Sequence, residues 1–180
     1  MFRLKFLIAL VVAFVLMLCF RALVLTIVTI EGKGLEPVFM QGDRLLVNRW
    51  SYGLRVGSDE GLLPYCRVGR CSVRRGDLVV FEHPGNADEV LICRCKALPG
   101  DTILYQGKET IVPGRVNCAA SDYYWMEAVS EENSLDSRTL GFIAEQLIIG
   151  RATTIVYSHD HQEPFWRGWR TQRTLLSLDE

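Results

Sequence analysis

Residues 6–20 read FLIALVVAFVLMLCF, an uncharged apolar run with Arg3 and Lys5 before it and Arg21 after it. Counted back to Leu4, the stretch covers 17 positions. That is the short end of a membrane span and long for the core of a secretory signal. No other segment constrains the chain as strongly, because a run of this length must be covered by protein or by lipid. A cleavable signal would need small residues just before the cut, and the exit sequence LMLCFRAL supplies none. Leu18 before Cys19 is likewise too large for lipoprotein processing. The expectation is a retained anchor over residues 1–21 and one domain over 22–180. The basic start and long following portion place the N-terminus in the cytoplasm and the domain outside.

Beyond Arg21 the pattern changes to short β-prone runs closed by Gly, Pro, Asn or Asp. ALVLTIVTIEG, RLLVNRWSYG, DLVVFEHPG, EVLICRCKALPG, TILYQGKETIV and IIGRATTIVYS all have this form. Only LDSRTLGFIAEQLI has a helical period, and Gly141 interrupts it. The expected fold is mainly β, a closed or half-closed barrel-like sheet after the anchor. The Arg and Trp residues of PFWRGWR near the C-terminus suit either an amphipathic edge at a membrane or, as the favoured reading, a packed terminal strand.

The net charge is −1, with 20 Lys plus Arg against 21 Asp plus Glu. That balance gives no nucleic-acid footprint. The six cysteines contain no C-x-x-C, and three histidines are too few for a recognisable metal pattern, so no metal or other cofactor is expected. Cys66 and Cys71 bracket a segment that a disulfide could close outside the cytoplasm; isolated small hydrophobic thiols are the alternative.

Four blocks resemble the type I signal peptidase family, in order and at matching separations. They are EGKGLEPVFMQGDRLLVNRWSYGLR (31–55), RRGDLVVFEHP (74–84), VLICRCKALPGD (90–101) and ENSLDSRTLGFIAEQLIIGRA (132–152). Arg21 just past the apolar run fits the same layout. The resemblance implies a β-rich domain on the outer face of the bacterial cytoplasmic membrane that removes signal peptides from exported proteins. Its chemistry would be a Ser–Lys dyad, in which a desolvated lysine of lowered pKa activates the hydroxyl and nearby donors hold the oxyanion. Small pockets would select Ala-x-Ala sites.

The two reacting side chains are absent. Alignment on Pro37 and Gly42-Asp43 puts Gly34 at the nucleophile position, and glycine cannot form an acyl-enzyme. Alignment on Arg94 and Leu98-Pro99-Gly100-Asp101 puts Cys93 at the base position, where a desolvated thiol has a raised pKa. Ala128, Val129 and Ser130 stand where the family has Gly-Asp-Asn in the fourth block. By the same resemblance, Leu35, Pro37, Gly42, Asp43 and Arg94 support the site, Ser134 orients the base, and Asp136 with Arg138 forms a buried ion pair. Lys96 falls on the opposite face of its strand from Cys93, whereas Cys95 shares that face. Lys33 adjoins the empty nucleophile position and has no hydroxyl to deprotonate. A nucleophilic Cys93 would need a distant base such as His83 or His159, and ordinary surface or loop histidines are the better reading.

The expectation is therefore a non-catalytic relative that binds signal peptides or an active paralogue at the membrane. Two alternatives stand beside it: a peptidase using displaced residues, or a structural subunit of an export or envelope complex.

Overall fold

The computed structural model describes residues 2–31, 35–57, 64–119, 121–130, 135–160, 163–164 and 166–178, without the side chains of 2–4, 19–23 and 87. Helix α1 occupies Phe2–Val24 and passes directly into strand β1, Leu25–Thr29. The helix therefore continues past Arg21, and the strand expected from Ala22 begins at Leu25. Ala22 and Leu23 are good helix formers, and β-branching dominates only from Thr26. From Phe6 to Leu18 the apolar side chains of α1 are exposed. Among the described residues no helix is long and apolar enough to cross a membrane; the side chains described in α1 are those of 5–18 and 24.

The remaining strands are β2 (Asp43–Asn48), β3 (Leu54–Val56), β4 (Cys66–Val68), β5 (Leu78–His83), β6 (Asn86–Ala97), β7 (Thr102–Tyr105), β8 (Lys108–Ile111), β9 (Tyr123–Ala128), β10 (Ile143–Ala144), β11 (Ile148–Ser158) and β12 (Leu176–Ser177). The main sheet runs β1-β2-β11-β5-β6-β9-β10, with β12 added to β11. Among the described residues its two terminal strands, β1 and β10, are not paired with each other. Strand β11 serves both halves. One edge pairs with β2 from Arg151 to Ser158, and the other pairs first with β5 and then with β12. Gly150 permits that crossing: a Cβ there would lie 2.5 Å from the Asn48 carbonyl oxygen. The pairs β3-β4 and β7-β8 form separate two-stranded sheets.

Both faces of the central strands are buried, one in each of two cores. Along β5, Val79 and Phe81 enter one core while Leu78 and Val80 enter the other. Along β6, Leu91, Cys93 and Cys95 join the first, and Ile92 joins the second with Ile30, Leu45 and Val47. This is why DLVVF and VLIC read as continuous apolar runs, since the period-2 alternation sorts residues between cores rather than between core and solvent. A third cluster packs Trp125, Val112 and Ala97 against Ile103, Tyr105 and Phe142 beneath the β7-β8 hairpin.

The LDSRTLGFIAEQLI segment is α-helical for one turn, α2 at Ser137–Leu140, ending at Gly141 with φ 77°; β10 and a 3-10 turn at Glu145–Leu147 follow. The described residues of the PFWRGWR segment form no regular strand. Trp169 makes one isolated bridge to His159, and Trp166 is exposed. A 3-10 turn at Thr171–Arg173 then leads to β12.

Candidate functional site

The Cys93 position lies in the middle of β6, opposite Val79 on β5 and Ala128 on β9. Paired on both edges and turned into the core, the residue is completely buried. Its Sγ donates to the Leu135 carbonyl oxygen at 3.6 Å. Burial, reinforced by the negative charge of Asp136, pushes the thiol up to about 12. A group so far from ionising supplies neither a thiolate nucleophile nor the amine of a Ser–Lys dyad. Cys95 shares the face, as expected from its spacing, and burial raises it to about 12 as well. Lys96 points the other way and pairs with Glu127 at 3.4 Å.

The histidines considered as distant bases are engaged elsewhere. His83 Nδ1 accepts from Gly85 N at 3.0 Å at the β5-β6 turn. His159 N donates to the Gly42 carbonyl, and its ring meets Trp169 edge-on at 5.2 Å.

Asp136 is the organising group beside Cys93. It precedes α2 as its N-cap, and its carboxylate accepts from Arg138 N at 2.9 Å and from Ala128 N at 3.1 Å. Ser137 Oγ accepts from Met126 N at 2.9 Å. The side chains of Asp136 and Ser137 thus accept from Ala128 N and Met126 N on the outer edge of β9, the strand whose other edge pairs with Cys93 and Cys95. The expected Asp136–Arg138 ion pair is present at 2.8 Å but is not a buried one: Asp136 is fully enclosed and the Arg138 side chain is 61 % exposed. The backbone donors already satisfy the carboxylate, so the guanidinium is free to extend into solvent.

The turn after position 34 is held from two directions. Gly42 N donates to the Ile30 carbonyl, and Ile30 N donates to the Asp43 carbonyl, which ties the turn back to the end of β1. Gly42 adopts φ 91°, a conformation that favours glycine. Asp43 is completely buried. Burial alone would raise its carboxyl, but hydrogen bonds from Arg173, Ser158 and Met40 N hold it below the ordinary range. Leu35 packs half-buried against the second core, whereas Pro37 faces solvent. Arg94 is exposed and donates from Nη1 to the Gly76 carbonyl at 3.0 Å. Gly34, Ser134 and Lys33 lie outside the described residues. Ala128 ends β9, and Ser130 just after it is buried. Cys66 and Cys71 are exposed free thiols.

Beside Cys93 opens a groove of about 840 Å³. One wall is Val28–Glu31 with Leu35; the other runs along β6 from Asn86 to Ile92, with Leu135. Cys93 is not part of the wall and lies behind Leu135. Both walls present strand edges. Among the described residues, β1 is the terminal strand of the sheet and β9 pairs with β6 only from Cys93 onward. Exposed strand edges of this kind accept an added strand, with main-chain hydrogen bonds on either side. Neither the groove nor the Leu135 contact was foreseen in the sequence; the only hint was that ALVLTIVTIEG and EVLICRCKALPG are both β-prone.

The model of "Signal peptidase, peptidase S26" matches residues 3–120 of this chain. Signal peptidase I of Buchnera aphidicola subsp. Baizongia pistaciae is 32% identical over 91 residues, 49% of this chain and 28% of that protein. Mitochondrial inner membrane protease subunit 2 of Saccharomyces cerevisiae is 29% identical over 138 residues, 74% of this chain and 69% of that protein. Signal peptidase I of Pseudomonas aeruginosa is 35% identical over 77 residues, 42% of this chain and 25% of that protein. The chain thus spans little more than a quarter of the two bacterial relatives and about two-thirds of the yeast one. With the order of blocks and the family match in agreement, this chain belongs to the signal peptidase family, peptidase S26.

Proposed function

We propose that this protein is a membrane-held, non-cleaving member of its family that receives an extended segment of an exported preprotein. The observation that carries the reading is the pairing of an open groove with a dead base position. Two strand edges line the groove, while beside it Cys93 stands fully buried with its thiol turned to Leu135. The absence of a hydroxyl at Gly34 supports it from the sequence.

Helix α1 acts as the anchor in this reading. Its 23 residues reach about 34 Å at 1.5 Å per residue, against a hydrocarbon core of about 30 Å. Side chains from Phe6 to Leu18 are apolar and exposed, a surface that lipid would cover. The domain then lies on the outer face, where preproteins emerge. An active signal peptidase of the same cell is the natural companion, cutting what this chain only holds.

The test uses the detergent-solubilised full chain and a preprotein with an Ala-x-Ala site. The expected result is retention without a cleavage product, together with slowed amide exchange at Val28–Ile30 and Val90–Ile92. Specific cleavage that persists through purification to homogeneity overturns the non-cleaving reading. Retention without edge protection overturns the groove.

A further inference from the structure

The two walls of the groove are held in different ways. The β6 wall belongs to a strand that pairs with β5 from Val90 to Arg94, so the body of the sheet fixes it. The other wall is the end of β1, which pairs only with β2 among the described residues, and that pairing stops at Thr29. Ile30, Glu31 and Leu35 of this wall lie beyond it. Their position rests on the turn that ends at Asp43. Ile30 N donates to the Asp43 carbonyl at 2.9 Å, Gly42 N to the Ile30 carbonyl at 3.0 Å, and Phe39 N to the Leu35 carbonyl at 3.0 Å.

The C-terminal segment closes that turn from the other side. The Asp43 carboxylate accepts from Met40 N at 2.9 Å and from the Arg173 guanidinium. Arg173 also donates to the Val38 carbonyl, Arg170 donates to the Gln41 carbonyl, and His159 N donates to the Gly42 carbonyl at 3.2 Å. Arg170 is held in place by Asp160 at 2.9 Å. Asp43 is completely buried, and a buried carboxylate stays ionised in place only where a cation and N–H donors compensate it. The closed turn therefore depends on Arg173, and the wall depends on the turn.

A strand laid between two edges bonds to both only where each lies about 4.8 Å away. With the β6 wall fixed by the sheet, the position of the β1 wall sets that spacing. Resting on the reading of the groove as a strand-binding site, we propose that Arg173 and Arg170 are positioning residues of that site. They act through Asp43, Val38 and Gln41 to hold the β1 wall where an added strand reaches both edges. The C-terminal segment is thus a working part of the groove, although none of its described residues lines it.

Two measurements on the full chain in neutral detergent test this: affinity for a fluorescein-labelled preprotein with an Ala-x-Ala site, and amide exchange without it. Arg173→Ala is expected to weaken binding about tenfold and to speed exchange at Ile30, Phe39 and Gly42 by more than at Ile92 on the β6 wall. Arg173→Lys should fall between the variant and the unaltered chain. Tyr105→Ala supplies a destabilised control: it removes a ring from the third cluster, which shares no residue with the groove, and should bind as the unaltered chain does. Should Arg173→Ala fail to fold, Arg170→Ala removes one bond to the turn and carries the same expectations at about threefold. Undiminished affinity in whichever of these two variants folds overturns the positioning inference and leaves the groove standing. A loss no greater than that of Tyr105→Ala overturns it as well, as does exchange at Ile30 that rises no more than at Ile92. Failure of the unaltered chain to retain the preprotein overturns the groove reading and this inference with it.

Discussion

Arg173 donates from Nη2 to Asp43 Oδ2 at 2.7 Å and to the Val38 carbonyl at 2.7 Å, bridging 130 residues of sequence. Arg170 adds a bond from Nη1 to the Gln41 carbonyl at 3.0 Å. The C-terminal segment thereby straps the turn that follows position 34, the same turn whose Leu35 lines the groove.

Removing that strap exposes the cost of a buried carboxylate. Arg173→Ala leaves Asp43 enclosed without its main partner and is expected to cost about 2–4 kcal/mol in urea unfolding. Arg173→Lys recovers only part of the loss, because an ammonium cannot reproduce the forked contact to Asp43 and Val38.

The same carboxylate sets a pH dependence. The Asp43 carboxyl is held below its ordinary value in the folded protein, so its contribution is complete above about pH 4, the ordinary carboxyl range. It is lost as pH falls through the lowered folded value. Unfolding measured between about pH 2 and 6 should show the native protein losing stability toward acid, with a shallower slope for Asp43→Asn.

Asp136 and Arg138 should differ sharply although they touch. Asp136→Ala leaves the N–H groups of Ala128 and Arg138 without their acceptor beneath a covered strand edge. A loss of about 2–3 kcal/mol is expected. Arg138→Ala removes an exposed guanidinium and should cost under about 1 kcal/mol. Chemical denaturation of the two variants side by side decides this; equal losses would mean that the ion pair, not the capping bonds, holds α2.

Thiol labelling separates the cysteines. Cys66, Cys71 and Cys118 are exposed, whereas Cys93 and Cys95 are buried. Burial raises both of the latter to about 12. Iodoacetamide at pH 8 should modify Cys93 and Cys95 at least about a hundredfold more slowly than the exposed three, read by peptide mass spectrometry. Rapid modification of Cys93 in the folded protein would revive a nucleophilic thiol.

At the strand crossing, Gly150→Ala places a Cβ 2.5 Å from the Asn48 carbonyl oxygen, a contact with backbone that cannot rotate away. The melting temperature should fall by an amount corresponding to about 1–3 kcal/mol. An unchanged melting temperature would mean that β11 and β2 separate freely there.

The local elements were legible where one short run carries its own signal. DLVVFEHPG and IIGRATTIVYS each became a strand at the expected place, because β-branched residues closed by turn formers specify extension without help from elsewhere. That glycine stands at position 34 and cysteine at position 93 was also plain, since residue identity needs no coordinates. Where the first helix ends was less legible: Ala22 and Leu23 are good helix formers beside a β-branched run, and continuity with the preceding turn extends the helix to Val24.

The sequence by itself determined a mainly β domain behind an apolar N-terminal run and its membership of a peptidase family. Tertiary structure alone decided that Cys93 lies sealed behind Leu135, that Arg173 straps the turn at Asp43, and that β1 and β6 leave two edges facing one groove. The physical reason is range. Propensity and residue chemistry act over a few neighbours, whereas these three relationships join segments tens of residues or more apart, and only the packing of two cores on one shared sheet brings them together.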